Sequence, residues 1–337
     1  MSFEQNNNIL ITRLTALWAL SESGLGGLMH ALKIPFTGFF LGGFAVVIII
    51  LMAHHSTGRF KTIIQATLLV VLVKATVSPH SPPMAYIAVS FQGLAGALIL
   101  QLPLKRIAAI LFGMIALFES AIQKFLVMTL IFGKSMWEAL DLFFKGILKD
   151  LSFIPDFSFS FWLITIYTFV YTVWGMLLGF WASGLPLSMM HKKESILLQY
   201  STLENETPGI TPGRKKGRSK KLLGVFFILL FVSGIFILKG DDHKAWFVVL
   251  RTIAVLLALF FIVNPLIKWL IKRWAGKNKN GRQQQLASII DLLPELRNYL
   301  LPAMQLARQN AKGLLVYKAF VVNLIILALY QAPANEN

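Results

Sequence analysis

Residues 34–53 read IPFTGFFLGGFAVVIIILMA and contain no charged side chain. A helix needs about 20 predominantly apolar residues to cross the roughly 30 Å hydrocarbon core of a bilayer. Lipid offers no hydrogen-bond partner to backbone N–H and C=O groups, so a stretch of this kind is expected to be helical. The segment therefore predicts an α-helix that spans a membrane.

Similar apolar blocks recur along the 337 residues, which are 56% hydrophobic and only 14% charged. Soluble domains average about 45–50% apolar residues. The ten-residue alternation of an outer-membrane barrel is missing. We therefore expect an all-α integral membrane protein. Apolar run lengths and the breakers between them predict spans at 9–31, 36–54, 61–79, 83–102, 106–133, 160–188, 221–239, 245–271 and 314–331.

The composition divides the chain into three parts. Residues 1–190 are predicted to form a six-span domain, and residues 191–220, rich in Pro, Gly and basic side chains, a cytoplasmic linker. Residues 221–337 are predicted to form a three-span domain that carries cytoplasmic amphipathic helices within 282–313. A short amphipathic helix at 136–151 is expected to lie on the outer interface, because it is too charged to span.

The formal net charge is +17, and its distribution is informative. Basic residues concentrate just beyond predicted helix ends, the positive-inside signature of cytoplasmic loops. We therefore expect a multi-pass protein of a bacterial inner membrane with a cytoplasmic N-terminus, whose basic loops attract anionic lipid rather than nucleic acid. The two main clusters are Lys192, Lys193, Arg214, Lys215, Lys216, Arg218, Lys220 and Lys221, and Lys268, Lys272, Arg273, Lys277, Lys279 and Arg282.

Polar side chains at membrane depth are costly and are functional candidates by default. From the first five predicted spans and their connections we select Glu22, His30, Lys74, His80, Gln92 and Glu119. We predict that these six residues bind a small solute. The alternative is that they only satisfy one another, with Lys74 paired to Glu22 or Glu119, or extended to water.

The sequence contains weaker signals for metal binding and for catalysis than for solute binding. Histidines 30, 54, 55 and 80 form no HxxxH or HExxH motif, and the chain contains no cysteine. Walker, GxSxG and dinucleotide motifs are also missing. We therefore expect no metal site, no cofactor and no enzymatic activity. An enzyme that acts on lipid-linked substrates and uses Glu22, His30 or Glu119 as acid or base is a further hypothesis.

Six helices in about 190 residues, a Gly-rich first span and the Pro35-x-x-Gly38 segment resemble the substrate-binding S components of energy-coupling-factor transporters. The resemblance implies capture of a vitamin, a vitamin precursor or a metal ion from outside. The part after the linker resembles the T component, whose Ala-Arg-Gly motifs dock on ATPases. Its nearest counterpart is LARQNAKG, with Gln309 where the motif has Gly, and the resemblance implies that Arg297 and Arg308 couple to partners.

Two functional hypotheses follow. The first is a transport protein that binds a small solute and couples to partner membrane subunits and cytoplasmic ATPases. The second is a non-catalytic accessory or scaffolding subunit of a larger inner-membrane complex, with its basic linker and amphipathic tail as contact surfaces. The sequence does not name the solute.

Overall fold

The computed structural model describes residues 3–26, 37–78, 81–150, 158–206, 243–258 and 279–331, with a few single positions between 261 and 273. Every regular element in these ranges is helical. The helices are α1 (Phe3–Leu20), α2 (Thr37–His55), α3 (Arg59–Val77), α4 (Pro83–Ile99), α5 (Lys105–Phe132), α6 (Lys134–Asp150), α7 (Phe159–Glu206), α8 (His243–Ala258), α9 (Lys279–Asn298), α10 (Leu300–Asn310) and α11 (Leu315–Tyr330). A π-helical segment, Ser21–Leu25, follows α1 directly.

Four of the described helices are long and apolar enough to cross a membrane: α2, α3, α5 and α7. Two others, α4 and α11, are apolar but shorter, at 17 and 16 residues. The prediction of an all-α chain with membrane-compatible helices is thus supported. The predicted span at 221–239 lies outside the described residues.

Contacts group the chain into two compact units. One comprises residues 1–121, 168–210 and 268–337, and the other comprises residues 122–167 and 211–267. The predicted domain boundary at 191–220 stays a prediction, because residues 207–220 lie outside the described ranges.

Within the first unit α3 packs against α4, and α1 packs against α2, α3, α9 and α11. Helix α4 begins at Pro83. A proline suits the first helical turn, because the backbone N–H that it lacks would have no partner within the helix there.

In the second unit, a carboxylate marks the start of α7. Asp141 on α6 accepts hydrogen bonds from the Ser160 backbone N–H at 2.7 Å and from the hydroxyls of Ser158 and Ser160. These donors, the backbone N–H first, lower the pKa of Asp141. Nearby, Thr252 on α8 donates a hydrogen bond to the Ile131 carbonyl of α5 at 3.2 Å.

The predicted end of the sixth span at 188 is wrong, because α7 continues to Glu206. Its buried residues Leu185, Met189, Ile196 and Tyr200 keep helical spacing through the basic pair at 192–193. Pro186 lies inside the helix, where proline removes one backbone hydrogen bond without ending it. Residues 191–206 of the predicted linker are therefore helical.

Helix α11 also differs from the span predicted at 314–331. Its 16 residues rise about 24 Å, less than the roughly 30 Å of hydrocarbon. Every residue from Val322 to Leu329 is buried. A helix that is apolar on all sides belongs either in lipid or in a protein core, so the span predicted at 314–331 stays a prediction.

A cap of helices forms around α11, and we define it as α9, α10, α11 and residues 188–206 of α7. The Tyr200 and Tyr299 rings meet edge to face at 5.9 Å. Asn310 donates a hydrogen bond to Gln199 at 2.9 Å. Helix α11 runs parallel to α7, because Lys318 lies over the Trp181 ring and Lys193 lies over the Tyr330 ring.

Small residues bring α5 and α7 into backbone contact. A Cβ added at Gly175 would lie 2.6 Å from the Gly113 carbonyl carbon, and one at Gly179 would lie 2.8 Å from the Ala109 carbonyl carbon. Small residues four apart on each helix are a common packing motif between membrane helices. The sequence contained this signal, GMLLG at 175–179, and our sequence analysis missed it.

Candidate functional site

The strongest candidate site is a buried ion pair between the π-helical segment and α3. The Lys74 Nζ atom lies 2.6 Å from Glu22 Oε2, and the side chains are 4% and 7% exposed. Taking two charges out of water costs several kcal/mol per ion. Only close approach of the charges and further hydrogen bonds offset this desolvation cost. The sequence raised this pairing as one alternative for Lys74, and the structure shows it.

The local backbone at Glu22 is unusual. Residues Ser21–Leu25 form a π-helix, a rare element that occurs frequently at functional sites. The hydroxyls of Ser21 and Ser23 donate back to the Trp18 and Ala19 carbonyls, which places local side-chain hydrogen bonds on this turn. The π turn changes the direction of the Glu22 side chain relative to a regular helix. The sequence offered only the serines and Gly24 as signals of it.

The pair retains unused hydrogen-bonding capacity. An ammonium group carries three donors and a carboxylate accepts at about four lone-pair sites. Within the described part of the chain, Glu22 and Lys74 have only each other as partners. A polar ligand inserted at this point would therefore find both donors and acceptors.

A second polar cluster lies where α2, α4 and α5 meet. Gln92 is 3% exposed, and its Nε2 lies 3.5 Å from Ser120 Oγ. A Cβ on Gly42 would lie 3.1 Å from Gln92 Nε2, so the glycine gives the amide its space. The Gln92 Oε1 atom is buried and has no hydrogen-bond partner among the described residues. A buried amide oxygen in that state can accept from a ligand.

Glu119 adjoins this cluster through its neighbour Ser120. Its Oε2 atom is buried without a hydrogen-bond partner in the described part of the structure. The sequence suggested an ion pair of Glu119 with a lysine, and the nearby Lys124 donates a hydrogen bond to the Tyr167 hydroxyl at 3.0 Å. The carboxylate therefore contributes a second unused acceptor to the same bundle.

The predicted site residues thus fall into three groups. Glu22 and Lys74 are in direct contact. Gln92 and Glu119 each have one buried oxygen atom that accepts no hydrogen bond from the described residues. His30 and His80 lie outside the described residues. Arg297 and Arg308 are exposed on α9 and α10, where a partner can reach them.

Sequence reasoning missed a second buried cation, Arg13. Its Nη1 donates to the Ala328 and Gln331 carbonyls at 2.9 and 3.0 Å, and its Nη2 lies 3.4 Å from Glu295. Tyr299 donates to the same carboxylate at 2.9 Å. Burial and the adjacent Glu295 raise the pKa of Tyr299 above its ordinary value. This network joins α1 to the cap.

Among the described residues, no group of three or more His, Asp or Glu side chains is placed to hold a metal ion. The His54 and His55 rings meet edge to face at 5.2 Å at the end of α2. Comparison of the chain with family models, with curated proteins and with solved structures finds no match.

Proposed function

We propose that this chain is a multi-pass membrane protein that binds a small polar solute within its α1–α5 bundle and moves it across the membrane with partner subunits. The Glu22–Lys74 pair carries the proposal, because it is deeply buried, Glu22 lies on a π-helical turn, and neither group has a further partner among the described residues. The resemblance to S components of energy-coupling-factor transporters supports the same role. Arg297 and Arg308 are then the candidates for coupling to ATPases.

The chemistry of the pair favours one class of solute. A ligand that carries both an acceptor and a donor can replace the mutual bond of Glu22 and Lys74 without leaving either charge unpaired. A metal ion would bind the carboxylate but would be repelled by the ammonium 2.6 Å away. A vitamin-like organic solute therefore fits this site better than a metal ion, which remains the alternative.

The proposed orientation places the N-terminus, the basic linker and the cap in the cytoplasm of a bacterial cell. The excess of Lys and Arg in those segments supports it. Since the chain has no cysteine, single cysteines at Ser219 and Asp242 can be labelled without background. We expect the two to react with impermeant maleimide from opposite faces. Labelling of both from the same face would contradict the orientation.

Solute capture tests the function directly. The full chain, purified in detergent and mixed with a pool of water-soluble vitamins, should retain one compound in native mass spectrometry. Lys74→Met should abolish retention, whereas Lys61→Met, an exposed lysine at the start of the same helix, should leave it unchanged. Retention of nothing from the pool by the wild type, or equal retention by both variants, would count against the proposal.

An accessory or scaffolding role is the second candidate. It is favoured by α6, where Leu142 and Phe143 are 71% and 63% exposed beside charged residues. Such an amphipathic helix suits the membrane interface or a partner's groove. Purification from native membranes separates the two functions, because stoichiometric ATPases indicate transport and other stoichiometric partners indicate scaffolding.

A further inference from the structure

A crevice of about 620 Å³ lies between the start of α5, the second half of α7, the end of α10 and α11. Three cations line it, Arg106, Lys192 and Lys318, each from a different helix. No Asp or Glu is among the described residues of its lining. The crevice is therefore a concave site of uncompensated positive charge.

Aromatic rings hold two of these cations at the wall of the crevice. The guanidinium carbon of Arg106 lies 4.2 Å from the centre of the Phe180 ring, and the Lys318 ammonium lies 5.8 Å from that of Trp181. A cation–π contact fixes the position of a charge without neutralising it. Both side chains are on exposed residues, so their charge can still meet an anion.

The crevice also has apolar surroundings that are open to the outside. Leu315, which lines the crevice at the start of α11, is 65% exposed, and its neighbour Leu314 is 86% exposed. Leu185 and Val322 are buried in its wall. Exposed leucines beside basic side chains are the pattern of a protein surface at the level of lipid headgroups.

We propose that this crevice binds the phosphate-bearing headgroup of an anionic phospholipid, with the acyl chains lying along the exposed leucines. The site has the volume of a small-molecule pocket, about 300–1,000 Å³. Helices α5 and α7 are long and apolar enough to cross a membrane, and Arg106 lies at the beginning of α5, near a hydrocarbon boundary. A choline headgroup would place a fourth cation beside three others, which selects against zwitterionic lipid.

The charge requirement is tested with the full-length protein in detergent. After delipidation it is titrated with phosphatidylglycerol or phosphatidylcholine, and the bound lipid is counted by native mass spectrometry. We expect tight retention of phosphatidylglycerol alone. The triple variant Arg106→Gln, Lys192→Gln, Lys318→Gln should weaken it on the order of 100-fold, since each cation contributes about fivefold near an anionic surface.

The matched control removes three exposed lysines elsewhere, with Lys61→Gln, Lys134→Gln and Lys145→Gln. It lowers the net charge by the same amount and should leave retention nearly unchanged. Equal loss in the two triple variants, or equal binding of the two lipids, would overturn the proposal, because attraction would then come from the overall charge.

A second variant removes volume and keeps every charge. Gly184 lines the crevice, and a Cβ built there meets nothing within 4 Å. Gly184→Leu should therefore fill the crevice, reduce phosphatidylglycerol retention at least tenfold, and leave the melting temperature unchanged or higher. Gly281→Leu, at an equally open position on α9, should raise helix propensity without affecting retention.

Competition separates a lipid site from a site for free phosphate. Inorganic phosphate at millimolar concentration should fail to displace phosphatidylglycerol, because it gains nothing from the leucines. Displacement by inorganic phosphate, or full retention in Gly184→Leu, would contradict lipid binding in this crevice.

Discussion

The first compact unit contains two ion pairs with buried cations, and the pairs differ in the number of further hydrogen bonds that their groups make among the described residues. Arg13 meets Glu295 at 3.4 Å, donates to two carbonyls at the end of α11, and shares its carboxylate partner with the Tyr299 hydroxyl. Lys74 meets Glu22 at 2.6 Å with no further partner for either group among the described residues. Within the described ranges, one pair belongs to a network and the other consists of its two members alone.

This difference suggests a structural role for the Arg13 network and a functional role for the Glu22–Lys74 pair. A buried charge that bonds to several fixed acceptors holds elements together, and the Arg13 network connects α1 with α9 and α11. A buried pair with unused donors and acceptors pays desolvation without full compensation, a state that natural proteins retain mainly for binding or switching. Arg13 therefore contributes to the stability of the fold, and we propose Glu22–Lys74 as the solute-binding pair.

The largest expected effect comes from Arg13→Met. It leaves two carbonyls at the end of α11 and the partly exposed Glu295 carboxylate without their cationic donor. The expected destabilisation is about 3–5 kcal/mol, since each hydrogen bond from a charged donor contributes about 1.5–3 kcal/mol. Thermal unfolding of the full-length protein in detergent measures it. Arg308→Met, at an exposed position on α10, is the control and should change stability by less than about 0.5 kcal/mol. Equal melting temperatures for the two variants would contradict the structural role of Arg13.

Lys74→Met should also destabilise the protein, because it leaves Glu22 buried without a counter-ion. We expect a somewhat smaller loss than for Arg13→Met, about 3 kcal/mol, since fewer groups lose a partner. Lys61→Met on the same helix should have almost no effect. If Lys74→Met melts like the wild type, the pair contributes nothing to the fold.

The smallest effect concerns Tyr299, whose hydroxyl donates to Glu295. Tyr299→Phe should cost about 1 kcal/mol at neutral pH, the net value of one hydrogen bond. The pKa of Tyr299 is raised in the folded state, so the difference holds below the ordinary tyrosine pKa of about 10 and shrinks as the pH rises above it. A difference between the two melting curves that is independent of pH up to 11 would contradict this network.

Much of the helical pattern was predictable from apolar run length. Helices α2 to α5 lie where the sequence places spans, because Gly58, Pro83 and the LPLK turn at 102–105 interrupt the apolar runs. The end of α7 was missed because basic residues at 192–193 obscure a buried face that continues to Tyr200. For α11, composition alone cannot decide between a core helix and a membrane helix, because the two have the same composition.

The candidate site was predictable in part from the sequence. The cost of burying charge singled out Glu22 and Lys74, and pairing was one of the stated alternatives. The two residues are 52 positions apart in the sequence and Glu22 lies on a π-helical turn, neither of which is predictable from local patterns. Arg13 was overlooked because its acceptors are carbonyls more than 300 residues away.

The measurement that tests the central claim most directly is solute binding by the double variant Glu22→Gln, Lys74→Met. Removing both charges leaves no unpaired ion, so the melting temperature should recover most of what Lys74→Met alone loses. If the pair binds solute, the compound that raises the melting temperature of the wild type should leave that of the double variant unchanged. An equal shift in the recovered double variant would show that the pair only supports the fold and would contradict its assignment to solute binding.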